Sequence, residues 1–185
     1  MSVAFPVTEL RNPVDPMLPR LAVIQSVKPE ACGVSTLSLN FVDPRERAAY
    51  RFQPGQFNML YLPGAGEVAI SVSSDPIEPQ TIAHTVRCAG SVTRAIGRLK
   101  PGDTLGVRGP YGNHWPIEQA HGKNLIIVAG GIGLAPLRPV ILSVLNRRGD
   151  FGRVLLLYGA RTPADLLYTR EFGRWREGGV EVNVT

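Results

Sequence analysis

The segment Asn124-Leu-Ile-Ile-Val-Ala129 is an unbroken apolar run that ends on Gly130-Gly-Ile-Gly133, and this junction constrains the fold more than any other feature of the chain. A continuous apolar run without alternation predicts a strand buried on both faces of a parallel sheet. The glycines behind it predict a tight strand-to-helix turn. Pro136 falls where the first helical turn tolerates a residue without an N–H. The helix is expected from Pro136 to Arg147, with Arg147 and Arg148 at the end that favours cations. Gly149 and Gly152 flank a turn into a second buried strand, Arg153-Val-Leu-Leu-Leu-Tyr158. Asp165 to Arg176 reads as a second helix capped by Asp165, and Val180 to Val184 as a third strand. Strand–helix–strand–helix–strand is one mononucleotide-binding half of a doubly wound sheet.

Ahead of Trp115-Pro116 the pattern is different. Leu21 to Val27 and Val34 to Phe41 have strand-like composition, the second with clear alternation. Phe52 to Leu62 turns at Pro54-Gly55 and runs into a third strand, and Val68 to Val72 and Thr81 to Cys88 read as two more. Leu105 to Arg108 follows the turn Lys100-Pro-Gly-Asp103 as a sixth. One helix interrupts the series, capped by Ser91 or Thr93 and carrying Ala95, Ile96 and Leu99. Six short strands separated by turn residues predict a small antiparallel barrel. The 20 glycines and 16 prolines are spread along the chain, which fits tight turns between short strands rather than disorder. The expected organisation is an extended arm over residues 1–20, a barrel over 21–116 and a truncated, partial α/β unit over 122–185.

The formal charge is +5, yet Lys and Arg form no dense run: Glu46 separates Arg45 from Arg47, and Asp150 closely follows Arg147-Arg148. A nucleic-acid surface needs a basic face interleaved with aromatics, so that class is excluded. A mildly basic surface still attracts an anionic cofactor or an acidic protein. No apolar run is long enough to cross a bilayer, and the first residues show no secretory pattern, so the cytoplasm is the expected compartment. Cys32 and Cys88 form no C-x-x-C and supply no thiolate set for zinc or an iron–sulfur cluster. They are expected to be buried free thiols in a reducing environment.

Chemistry concentrates in four places. Gly130, Gly131, Ile132, Gly133 and Pro136 read as a phosphate-binding turn, because glycines let backbone N–H groups approach a phosphate and the helix start adds partial positive charge. The spacing G-x-G-x-x-P is neither the dinucleotide fingerprint nor a P-loop, and a plain strand-to-helix turn is the competing reading. Gly159-Ala-Arg-Thr-Pro-Ala-Asp-Leu-Leu-Tyr168 follows the second buried strand, where open sheets bind ligands; Arg161 is its candidate phosphate contact, and Tyr168 reads as core packing. Gly90, Ser91, Val92 and Thr93, with Arg87 upstream, are equally a capped helix and an anion site. Ile70, Ser71, Val72 and Ser73 end a strand in hydroxyls suited either to turn backbone or to a flat ligand. His84, His114 and His121 have no metal-ligand spacing, no nucleophile–base set stands out, and His84 reads as a strand residue with a satisfied hydrogen bond.

Seven segments in order give the chain a resemblance to the ferredoxin reductase-like superfamily from Leu21 onward: Pro54-Gly-Gln-Phe57, Ser71-Val-Ser-Ser74, Gly90-Ser-Val-Thr93, Leu99-Lys-Pro-Gly-Asp103, Gly109-Pro-Tyr-Gly112, Gly130-Gly-Ile-Gly133 with Pro136, and Asp165-Leu-Leu-Tyr168. Gly64-Ala-Gly-Glu-Val-Ala-Ile-Ser71, His114-Trp-Pro116 and Gly159-Ala-Arg-Thr-Pro163 look like the gamma (diaphorase) subunit of soluble nickel–iron hydrogenases. Electron-transfer subunits of dihydroorotate dehydrogenase and anaerobic sulfite reductase are the near competitors, and a non-catalytic scaffold that keeps the fold is a third reading.

The resemblance implies a six-stranded Greek-key barrel that binds FAD and an α/β unit that presents NAD or NADP to it. Electrons would pass between NAD(P)H and an iron–sulfur partner subunit. It implies FAD against Ile70, Ser71, Val72 and Ser73 and against Gly90, Ser91, Val92 and Thr93. The nicotinamide cofactor is implied at Gly130, Gly131, Ile132, Gly133 and Pro136, supported by Arg161. No protein acid or base is required, because the cofactors carry hydride chemistry. Many members carry Arg-x-Tyr-Ser where Val68-Ala-Ile-Ser71 stand here, so Arg87 and the Gly90–Thr93 helix start are expected to take the FAD pyrophosphate. Members also continue with further strands and, in the hydrogenase subgroup, a cysteine-rich tail for a [2Fe–2S] cluster, so these 185 residues read as a fragment.

Overall fold

A computed structural model describes Asp15, residues 17–78 and residues 80–185. Most of the arm expected over residues 1–20 lies outside the described residues. Six strands form an antiparallel sheet: β1 (Arg20–Ala31), β2 (Val34–Phe41), β3 (Phe57–Leu62), β4 (Gly66–Ser71), β5 (Ile82–Arg87) and β6 (Thr104–Tyr111). Their order is β4-β3-β6-β1-β2-β5, with non-sequential neighbours of the Greek-key kind. The period-two pattern produces the barrel core. Leu37, Leu39 and Phe41 of β2 point inward with Ala22 and Ile24 of β1, Leu60 of β3, Ile82 and Val86 of β5, and Leu105 and Val107 of β6. The sheet curls until its edge strands meet at a single bridge between Val72 and His84, beside the bond from the Ser73 N–H to the Ala83 carbonyl at 2.8 Å. Closing the sheet covers edges that would otherwise stay open.

Two short helices belong to this half. The helix α1 (Pro44–Ala49) was not expected from the sequence, although its start is signalled: Asp43 accepts from the Arg45 N–H at 2.7 Å and Pro44 occupies the first turn. The helix α2 (Ser91–Ile96) is capped by Gly90 rather than by Ser91 or Thr93. Thr93 instead reaches back, its hydroxyl accepting from the N–H groups of Gly90 at 2.8 Å and Ala89 at 3.0 Å.

The second sheet is parallel, with β7 (Leu125–Gly130), β8 (Val154–Gly159) and β9 (Val180–Val184) in sequence order. Its helices are shorter than expected. The helix expected from Pro136 is α3 (Arg138–Asn146), preceded by a 3-10 turn over Gly131–Leu134, and Pro139, not Pro136, occupies the first helical turn. The stretch from Asp165 to Arg176 is two 3-10 turns, Pro163–Asp165 and Thr169–Glu171, and then α4 (Phe172–Glu177). Asp165 therefore caps no helix; its carboxylate accepts from the Thr162 hydroxyl at 2.9 Å.

The expectation that β7 is buried on both faces is also corrected. Ile127 is buried, but Ile126 is 63% and Val128 67% exposed. The cause is topological. Strands that advance in one direction through right-handed crossovers place both helices on the same face. Here α3 and α4 share one core with Ile127, Val154, Leu156, Tyr158, Val180 and Val182. The two cysteines are free, but both are exposed rather than buried. Cys32 sits on the tight β1–β2 turn beside Gly33, whose φ is +65°, and Cys88 lies just beyond β5, so neither falls on an inward-facing strand position.

Candidate functional site

The parallel strands deliver β7, β8 and the residue after β9 to one edge at Gly130, Gly159 and Thr185, and a cavity of about 660 Å³ opens there. Its size falls within the roughly 300–1,000 Å³ usual for ligand sites, and its place is the carboxyl edge where open sheets bind nucleotides. Gly130, Gly131, Ile132 and Arg161 line it as the sequence led one to expect, together with Gly159 and Asp165. Gly131 adopts φ +52°, a conformation that side chains rarely tolerate. A Cβ at Gly130 or Gly133 would meet nothing within 4 Å, so the backbone of the turn is bare rather than plugged. Pro136 is half-buried in the turn ahead of α3 and does not line the cavity.

Arg87 is found on this cavity, arriving from the barrel at the end of β5. Its guanidinium lies 3.9 Å from where a Cβ on Gly131 would sit. Two arginines, one from each half, thus flank one glycine turn. Sequence reasoning missed the residue that fixes this turn. Tyr158 is wholly buried at the end of β8; its hydroxyl donates to the Gly131 carbonyl at 3.1 Å and accepts from the Leu167 N–H at 3.0 Å. It couples the glycine turn to the loop carrying Arg161, and burial pushes its hydroxyl pKa up, so it stays a donor. A polar-tipped aromatic closing an apolar strand was the available signal.

The flavin-type elements lie on the barrel. Val92 would touch a Cβ on Gly66 at 3.3 Å, so α2 rests against the start of β4, and Val92, Val68 and Ile70 pack against the same barrel core. Ile70 and Ser71 are half-buried and Gly90 and Ser91 exposed, so part of each element faces solvent. Val72 and Ser73 are wholly buried and can only support their neighbours. Where the superfamily carries an arginine, Val68 is aliphatic. The nearby cation, Arg108 of β6, is committed to Glu67 in a two-pronged ion pair at 2.6 and 2.7 Å, which holds the Glu67 carboxyl below the usual range.

A polar network joins the halves between these sites. Arg138 of α3 donates to the Ser73 carbonyl, pairs with Glu171 at 2.9 Å and stacks 5.1 Å above the Tyr168 ring. The Tyr168 hydroxyl bonds Thr85, which also meets Ser73 at 3.2 Å and Thr36 at 2.8 Å. Tyr168 holds φ +55°, which a bulky residue keeps only when its surroundings over-determine it. The core role read for Tyr168 is therefore combined with an interdomain bond.

Comparison with known proteins agrees with this geometry. The family described as "Oxidoreductase NAD-binding domain" matches residues 127–184. Sulfhydrogenase 1 subunit gamma of Pyrococcus furiosus is 41% identical over 144 residues, covering 78% of this chain and 49% of that protein. The Amycolatopsis cytochrome P450 reductase GcoB superposes with a TM-score of 0.77 at 27% identity, over 90% of this chain and 50% of that one. A ferredoxin NADP+ reductase from Neisseria gonorrhoeae, solved with bound FAD and NADP, superposes with a TM-score of 0.74 at 24% identity over 89% of this chain and 66% of that one. The chain spans about half the length of the curated relatives it matches. With barrel, parallel sheet and glycine turn in the same order, this chain belongs to the ferredoxin–NADP reductase-like superfamily and is similar, within it, to the sulfhydrogenase gamma subunits.

Proposed function

We propose that this chain is the flavin- and pyridine-nucleotide-binding part of an electron-transfer oxidoreductase that works between NAD(P)H and an iron–sulfur partner subunit, hydrogenase-type by its relatives. The observation that carries the reading is the bare Gly130–Gly133 turn flanked by Arg87 and Arg161 at the carboxyl edge of the parallel sheet. Backbone N–H groups there meet the diphosphate of the dinucleotide, and the two guanidinium groups neutralise its charge. Each charge-assisted hydrogen bond of this kind contributes about 1.5–3 kcal/mol.

On the barrel, Ile70 would hold the flavin ring, Ser71 its polar edge, and Gly90, Ser91, Val92 and Thr93 its diphosphate. Val72 and Ser73 hold the strand from behind. Bound FAD would supply hydride acceptance and single-electron transfer, chemistry that belongs to the cofactor rather than to the side chains. The chain's own work is to orient the two cofactors, to keep water from the space between the halves and to fix their separation through Arg138 and Tyr168. The net charge of +5 favours an acidic electron partner. Cys32 and Cys88 make no cluster-ligand set, so the iron–sulfur relay is assigned to the partner subunit, and a cytoplasmic setting agrees with two free thiols.

The test is direct. Purified protein is mixed anaerobically with FAD and then titrated with NADH and, separately, NADPH. A one-to-one yellow complex whose flavin absorbance is bleached by at least one of the two supports the proposal. Protein that stays colourless after reconstitution returns the scaffold reading instead.

A further inference from the structure

A buried chain of polar groups runs beneath β4, and the proposed function leaves it unused. The His84 ring is wholly buried, with Nδ1 2.9 Å from the Ser71 carbonyl oxygen and Nε2 3.2 Å from the Asn58 side-chain nitrogen. That nitrogen also donates to the Tyr50 hydroxyl at 2.9 Å. A carbonyl can only accept, so the proton sits on Nδ1, and Nε2 accepts from the Asn58 amide. Burial pulls the imidazole pKa down to about 4, which keeps this neutral form at ordinary pH.

The members come from separate elements: Tyr50 from the end of α1, Asn58 from β3, Ser71 from β4 and His84 from β5. Asn58 lies opposite Ile70 in the β3–β4 ladder, and the His84 backbone forms the one bridge, to Val72, that closes the curled sheet. An apolar residue would fill the same core without needing two partners, and a buried imidazole persists only where both nitrogens are satisfied. Here one nitrogen is spent on the backbone of the strand against which the flavin ring would lie.

We propose that His84 is the positioning residue of the flavin strand: by fixing the Ser71 carbonyl it sets the height and tilt of Ile70 and Ser71 against the isoalloxazine. This rests on the functional reading above. It adds to that reading a determinant of flavin geometry that touches no cofactor itself.

The experiment titrates FAD into the parent chain and into His84→Leu and His84→Asn, reading affinity, the flavin absorption band and melting temperature. The Asn amide can still donate to the Ser71 carbonyl; Leu cannot. His84→Leu should weaken FAD binding about tenfold or more and shift the absorption band, as expected when the half-buried Ser71 carbonyl loses its donor. His84→Asn should recover most of both, even if its melting temperature stays low. Variants that melt earlier but bind FAD with parental affinity and band position overturn the inference and leave His84 a core residue. A parent that binds no FAD sinks the functional reading and this inference with it, so the two failures are distinguishable. Should His84→Leu not fold, ¹⁵N-histidine labelling of the parent decides. The His84 ring resonances must report an Nδ1–H tautomer and move on FAD addition, and resonances indifferent to bound FAD overturn the proposal.

Discussion

The two halves of the molecule close their cores differently. The barrel curls until its edge strands touch at Val72 and His84, and its buried cluster is surrounded on all sides by its own strands and by α2. The parallel sheet keeps all its helical cover on one face, leaving Ile126 and Val128 of β7 open on the other. One half seals itself; the other is sealed on the side that carries the glycine turn. The same contrast holds between their glycine-bearing turns. At Gly90 the hydroxyl of Thr93 takes up the nearby N–H groups, whereas a Cβ on Gly130 or Gly133 would meet nothing within 4 Å, and the side chain nearest Gly131 on that side is the cationic tip of Arg87. A turn that uses its own hydroxyl on part of its N–H groups leaves fewer of them for a ligand than one whose backbone is open.

The largest expected effect tests whether the halves are separate cooperative units. Trp175 is wholly buried against Tyr168 and Phe172, and Trp175→Ala should destabilise the parallel-sheet half by about 3–5 kcal/mol. Hydrogen exchange should then show β7 and β8 losing protection well before β2 and β5. Simultaneous loss in both sheets would mean that the Arg138–Ser73 and Tyr168–Thr85 bonds fuse the halves into one unit, and the comparison fails.

Acid should act on the barrel through His84. Its imidazole titrates near 4 when folded against an ordinary value of 6.5, so unfolded chains bind the proton first. The stabilisation is fully present above about pH 6.5 and is lost as the pH falls towards 4, on the order of 3 kcal/mol in all. Denaturant midpoints across that range should fall more steeply in the parent than in His84→Asn. Parallel slopes would show that other groups govern acid sensitivity.

Arg87 sharpens the comparison at the site itself. Arg87→Ala should weaken NADH or NADPH binding about tenfold or more and leave FAD affinity within about twofold, as measured by calorimetry. Arg161→Ala should behave alike. If Arg87→Ala weakens FAD instead, the residue serves the flavin diphosphate, the role suggested by the missing superfamily arginine at Val68.

Much of this was legible in the sequence, for identifiable reasons. The alternation in Val34 to Phe41 and the apolar runs at Leu125 and Val154 each fix a strand, because side-chain period and burial are local properties. The glycine turn was legible because only glycine supplies both φ +52° at position 131 and open backbone on either side. Four things were not. The one-sided burial of β7 depends on which face α3 and α4 occupy, and the composition of the strand is the same either way. The start of α3 at Arg138 and the 3-10 turn at Thr169 ahead of α4 were hidden because a single 3-10 turn is too short to be told by spacing from the first turn of an α-helix. Arg87 lies more than forty residues from Gly131 in sequence, and its arrival at the nucleotide cavity follows from how the halves dock. Tyr158 reads as one more apolar strand residue until its hydroxyl is seen bonding the Gly131 carbonyl.

The smallest expected effect bears on the open face. Val128 and Ile126 sit at 67% and 63% exposure beside Trp115, Pro116, Ile117 and Leu137, which together line an apolar groove of about 410 Å³. Replacing surface residues away from any structural device shifts stability by no more than about 0.5 kcal/mol. Val128→Thr retains the β-branch that suits a strand and adds only a hydroxyl, so its denaturant midpoint should match the parent's. Binding of a hydrophobic dye should nevertheless fall, because contiguous exposed apolar surface is what such dyes report. A loss of stability beyond about 1 kcal/mol would place Val128 in a buried contact in solution, since only a buried hydroxyl without a partner costs that much. The contrast between a self-sealed barrel and a one-sided sheet would then no longer hold.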